Sequence, residues 1–223
     1  MKRSLLVVLL LVFSMQFTAQ TFNQYNENGK RHGVWRKYFD GTKVLRYEGT
    51  FKNGKEIGTF KFYKNVKGEA VLSATRAFSD NTDLAEVTFF ASSGKIISQG
   101  MMRGKTYIGL WKYYQKNSDK LLTVENYNDN GALHGERIVF YDNGEIAEKA
   151  FYKEDKLHGE AFNYSLKGVM LKSLIYKDGE LHGEAKFYNP KGELIAKGIY
   201  KEGKKHGVWT YFENGEIVNT KTF

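Results

Sequence analysis

A glycine preceded by His or Ile returns along this chain at Gly33, Gly58, Gly109, Gly135, Gly159, Gly183 and Gly207, and Ala85 fills the one missing place. The successive spacings from residue 33 are 25, 27, 24, 26, 24, 24 and 24 residues. Such a period means one supersecondary unit copied and stacked, because a unit so short cannot bury its apolar side alone. Five residues after the anchor stand Tyr38, Tyr63, Phe90, Tyr114, Phe140, Tyr164, Tyr188 and Phe212, all aromatic. A later column reads Leu45, Leu72, Ile96, Leu122, Ile146, Met170, Leu194 and Ile217. Six residues on come Phe51, Phe78, Met102, Asn128, Tyr152, Tyr176, Tyr200 and Phe223, with Asn128 the polar exception.

Each unit reads as two strands. The first runs from the anchor to the aromatic, and the second carries the aliphatic and the second aromatic. Gly-containing turns such as Glu213-Asn214-Gly215 and Lys201-Glu202-Gly203 join them, since Asn-Gly and related steps accept the positive φ that tight hairpins need. Trp35, Phe60, Trp111 and Trp209 lie two residues after the anchor, at opposite parity to the five-after aromatics. Both faces of the first strand then carry rings unless a bulge intervenes. The expected fold is all-β: one elongated, twisted antiparallel sheet of about eight stacked hairpins, open like a solenoid. At ~4.8 Å per strand it is roughly 75–80 Å long. The widest spacing, read as falling around Ser79 to Leu84, is the expected place for a kink.

Before the repeats, Met1-Lys2-Arg3 is a short basic start, Ser4 to Phe13 is nearly all Leu and Val, and Ser14 to Gln20 is more polar. That is the order of a secretory signal. Its apolar stretch of about ten residues is half of the roughly 20 that a spanning helix needs. Residues 1–20 are therefore read as a signal peptide, cut after Ala19 or Gln20, and 21–223 as the repeat domain. The mature protein is expected in the periplasm or beyond.

Cysteine is absent, which removes disulfide scaffolds, thiolate zinc sites, thiol nucleophiles and a lipidated N-terminal cysteine. The five histidines, His32, His134, His158, His182 and His206, share one column. Equivalent columns sit two strands, or about 10 Å, apart, whereas zinc ligands must lie within ~2.1 Å of one ion. These histidines read as turn supports. Glu136, Glu160 and Glu184 form another column on a solvated face, and Gly100 to Thr106 is one residue short of a phosphate-binding loop. No catalytic residue, metal or cofactor is assigned, and no specific nucleic-acid recognition is expected.

The pattern Asn-Gly-x-x-His-Gly-x-Trp-x-x-Tyr-Phe at residues 28–39 resembles the MORN repeat variant family, and residues 203–215 match nearly as well. The resemblance extends over about residues 25–223. It implies a hairpin-repeat fold and binding rather than catalysis. Bacterial members are often labelled antitoxin components of toxin–antitoxin modules, and MORN repeats elsewhere bind proteins or acidic lipids. Arg137, Ala161 and Ala185 stand where the motif has Trp.

Charge is unevenly placed. Residues 21–110 hold 15 Lys plus Arg against 8 Asp plus Glu, and residues 111–223 hold 17 of each. The whole mature excess of +7 therefore lies in the first half. That asymmetry points to an acidic partner. The function read from these features is an exported, non-enzymatic scaffold for a protein partner, antitoxin-like or immunity-like. Alternatives are a carbohydrate or cell-wall binding module and an anionic lipid-surface binder. The contact residues chosen are Trp35, Arg36, Lys37, Tyr38, Phe60, Lys61, Tyr63 and Lys64.

Overall fold

The computed structural model describes residues 21–78 and 82–223, so the leader read at 1–20 lies outside the described residues. The described chain forms one open antiparallel sheet of 18 strands without helices. The eight hairpins are Arg31–Tyr38 with Leu45–Lys52, Lys55–Val66 with Glu69–Phe78, Leu84–Phe90 with Ile96–Arg103, Thr106–Tyr114 with Leu121–Tyr127, Gly135–Phe140 with Ile146–Lys153, Lys156–Tyr164 with Met170–Lys177, Gly183–Tyr188 with Leu194–Lys201, and Lys204–Glu213 with Glu216–Thr222. Gln24–Tyr25 and Glu180–Leu181 are two further short strands. The hairpins follow one another as a meander, each second strand pairing with the next first strand.

Two irregularities recur. Inside every hairpin the second strand carries one extra residue opposite the five-after aromatic, as where Lys37 pairs Tyr47 but Tyr38 pairs Leu45. Because the extra residue sits on the second strand, parity along the first strand is kept, and rings do occupy both faces. The second irregularity is at the anchor. All seven anchor glycines hold positive φ, from +62° at Gly58 to +108° at Gly183. A side chain is strained there, which is why the column is glycine. At Ala85 φ is negative, and the strand pairs Glu69–Phe78 in an unbroken register through Phe78↔Ala85. The degenerate repeat is the one that gives up this bulge.

The register also corrects the sequence columns. The aliphatic and second aromatic of the fourth repeat are Leu121, paired with Tyr114, and Tyr127, paired with Gly109; Leu122 and Asn128 are each one residue too late. With Tyr127 in place the second aromatic column has no polar member. The widest spacing is likewise not at Ser79 to Leu84. Beyond Tyr63↔Leu72 the second hairpin adds the pairs Lys64↔Val71, Asn65↔Ala70 and Val66↔Glu69, so its tip projects past its neighbours. Part of the segment read as a kink, 79–81, is outside the described residues.

Every buried residue lies on one face. It bears the two-after and four-after positions of the first strands and their cross-strand partners. A single sheet layer can bury a face only with large rings, and these need room. Gly49, Gly100 and Gly198 precede Phe60, Trp111 and Trp209 by eleven residues, and each ring lies on its glycine. A Cβ at Gly100 would stand 2.5 Å from the Trp111 indole. Where the ring is missing the partner grows: Ala150 faces Ala161, and Leu174 packs with Ala185. Volume is thus balanced pair by pair.

The first edge is finished differently. The Trp111 and Trp209 indoles donate to the Met101 and Ile199 carbonyls of the preceding second strand. Trp35 has no preceding repeat and donates to Gln24 O at 3.1 Å, while Tyr25 meets it edge-on at 5.2 Å. Tyr200 meets Trp209 in the same way at 5.1 Å. Residues 24–25 therefore imitate the second strand of a repeat.

Candidate functional site

The eight contact residues chosen from sequence do not share a surface. Trp35, Lys37 and Phe60 belong to the buried-side positions, whereas Arg36, Tyr38 and Lys61 point to the other face. Phe60 is 1% exposed, under Phe51 and Phe78 edge-on at 5.1 and 5.6 Å. It is a core residue and drops out as a contact. Trp35 is half-buried, with Arg31 over its ring at 4.9 Å.

On the opposite face three of the chosen residues converge on Glu48. Arg36 Nε lies 3.2 Å from one carboxylate oxygen; Lys61 Nζ and the Tyr63 hydroxyl lie 3.9 and 3.1 Å from the other. Burial, with the Glu48 hydrogen bond and charge beside it, raises the Tyr63 pKa. Arg36 also covers Phe22 at 4.1 Å. Lys37 stands 3.9 Å from Asp40. Arg36, Lys37, Lys61 and Tyr63 are thus answered within the chain.

Several other cations of the first half have no carboxylate within ion-pair distance among the described residues. Two of them, Arg46, which was not among the chosen residues, and Lys64, share one place. Both line an open groove of about 680 Å³ between the first and second hairpins, with Phe39, Tyr47 and Phe62. Arg46 stands 5.9 Å over the Phe39 ring, and Tyr47 and Phe62 are 6.1 Å apart. Arg46 is the extra residue of its hairpin. Strand alternation does not set its direction, which is why a column reading passes over it.

Three cations of the second half, Arg137, Lys149 and Lys186, are held in ion pairs. Lys149 meets Glu136 at 2.6 Å and Lys186 meets Glu184 at 2.8 Å, and these hydrogen bonds raise both lysine pKa values. On the buried side a relay runs from Tyr113 through Tyr127, Glu125, Arg137 and Glu148 to Asn163, with links of 3.2, 2.6, 3.1, 3.0 and 3.5 Å. Burial opposes the Arg137 charge, but the hydrogen bond to Glu125 and the surrounding negative groups raise its pKa overall. Burial also pushes the Tyr113 hydroxyl up to about 12. This relay occupies the place of a Trp–Gly pair and separates the core around Trp111 from that around Trp209. Arg137→Met is expected to lower stability by about 2 kcal/mol, because two half-buried carboxylates lose their partner. Denaturant titration at neutral pH checks this, and an unchanged midpoint would contradict the relay.

Two of the five histidines reach turns. His134 Nδ1 is 3.3 Å from Glu154 and His158 Nδ1 is 3.2 Å from Asp178, each an acid of the next inter-repeat turn. Among the described residues no three His, Asp or Glu side chains gather closely enough to hold a metal ion.

No curated protein matches the chain. The model of the MORN repeat variant matches residues 133–154 and 181–202. These segments are the fifth and seventh hairpins, whose motif Trp is replaced by Arg137 and Ala185, and not the two segments closest to the motif by eye. Two segments of the chain thus match the MORN repeat variant, and the common register repeats the same hairpin geometry in the other units.

Proposed function

We propose that the chain is an exported, non-catalytic scaffold that binds an acidic surface of a protein partner through its first two hairpins. The observation that carries this reading is the pair of unanswered cations, Arg46 and Lys64, beside partly exposed rings in the half that holds all the mature charge excess. Clustered charges orient and speed an encounter, and the rings add contact area. Export is supported by the order of residues 1–20. An antitoxin-like or immunity-like role is the finer form of the same reading, in which the partner is a toxin.

The test is capture from a cell-envelope extract by the full mature chain at low and high salt, beside Arg46→Glu/Lys64→Glu. Salt and the double reversal should each lower capture by at least about tenfold. Capture that ignores both overturns the reading. A second reading, glycan binding, is favoured by half-buried Tyr152, Tyr176 and Tyr200, which recur on one face at about 10 Å steps. Salt-insensitive retention on a polysaccharide resin would select it.

A further inference from the structure

The projecting tip of the second hairpin leaves part of a strand without a neighbour. On the side of the first hairpin, pairing of Lys55–Val66 begins at Lys52↔Lys55 and ends at Tyr47↔Phe62. On its other side the same strand stays paired out to Val66↔Glu69. Among the described residues, no strand therefore lies beside Tyr63–Val66 on the side facing the first hairpin. Its outward N–H and C=O groups are an open edge. Within the sheet this overhang is peculiar to the second hairpin: in the others pairing ends at the five-after aromatic, or one pair beyond it in the last, whose second strand Glu216–Thr222 is the terminal edge of the sheet.

The groove described above runs along this edge. Consecutive residues Phe62, Tyr63, Lys64 and Asn65 all line it, which a sheet face, with its alternation, would not allow. Its opposite wall is Phe39, Arg46 and Tyr47. The site thus offers main-chain donors and acceptors, apolar rings and two unanswered positive charges. We propose that Tyr63–Val66 takes up an extended acidic peptide of the partner as an added β-strand, with its carboxylates on the face of Lys64, within reach of Arg46, and its intervening apolar side chains on the opposite face beside Tyr63. This rests on the acidic-partner reading and adds to it the mode of binding. Main-chain pairing supplies affinity in such complexes and side-chain pockets supply selectivity. The groove's charge complements an acidic strand, and a lipid head group or a polysaccharide would leave the edge unpaired.

The experiment uses the full mature chain and a fluorescent ten-residue peptide alternating Glu and Val. Three comparisons accompany it: the same peptide N-methylated at alternate residues, Arg46→Gln/Lys64→Gln, and a tip-exchanged protein. In the last, Lys64–Val71 is replaced by the Asn-Pro-Lys-Gly-Glu turn of residues 189–193, which restores the ordinary hairpin length. The plain peptide should bind, and each comparison should weaken binding at least about tenfold. Hydrogen exchange should show the outward amides of residues 63–66 protected only with the plain peptide. Equal binding of the methylated peptide, undiminished binding by the tip-exchanged protein, or no binding of the plain peptide overturns strand addition. If the tip-exchanged protein still captures the envelope partner in a salt-sensitive way, the acidic-partner reading stands and only the strand mode falls. If capture ignores salt and charge reversal, the acidic-partner reading itself falls.

Discussion

Trp209→Ala should lower stability by about 3–5 kcal/mol, since a fully buried indole leaves a cavity over Gly198. Gly198→Leu alone should cost several kcal/mol as well, because its side chain would occupy the volume of the Trp209 ring. The double variant should recover most of the loss. It places a leucine side chain on the second strand between Ala185 and the alanine that replaces Trp209. The same arrangement is already present where Leu174 lies between Ala161 and Ala185. Midpoints of denaturant unfolding decide the matter. A double variant no more stable than the worse single one would mean that the pairs are not interchangeable and that volume balance is not what sets this core.

The second large effect separates two deletions. Removing residues 160–183 joins Gly159 to Glu184, two equivalent places in the register, and sets Ala150 against Ala185. The shortened protein should unfold cooperatively and lose only about the share of one unit, since each unit touches its neighbours alone. Removing residues 160–171 takes half a unit. A second strand would then lie beside another second strand, putting both apolar columns on the wrong partners, and the chain should fail to give a cooperative transition. Circular dichroism melts of the two proteins check this. Equal damage from both would refute the period.

Much of this fold is legible in the sequence because a period, a turn residue and a strand parity are local properties. The anchor column announces its positive φ by being glycine. Counting within a repeat is less legible. Leu121 and Leu122 are adjacent and both apolar, so the aliphatic column accepts either, and the choice moves the later column from Tyr127 to Asn128. The extra residues of the second hairpin show only if Tyr63 to Leu72 is counted separately from Leu72 to Ala85. Which rings are buried was also within reach. A glycine eleven residues before Phe60, Trp111 and Trp209 marks where the ring must lie, and that coupling removes Phe60 from any contact surface. The Glu48 convergence was out of reach, because it depends on which side chains meet across three strands. So was the open edge at Tyr63–Val66, which depends on where the neighbouring hairpin stops.

Each large ring in this sheet lies back over the strand before it. Trp111 covers Gly100 and Trp209 covers Gly198, so a repeat is sealed by the one that follows. Stability is therefore passed along the chain in one direction. A glycine strand is left bare wherever the ring of the following repeat is taken away, while residues 24–25 close the first Trp without any hairpin before it.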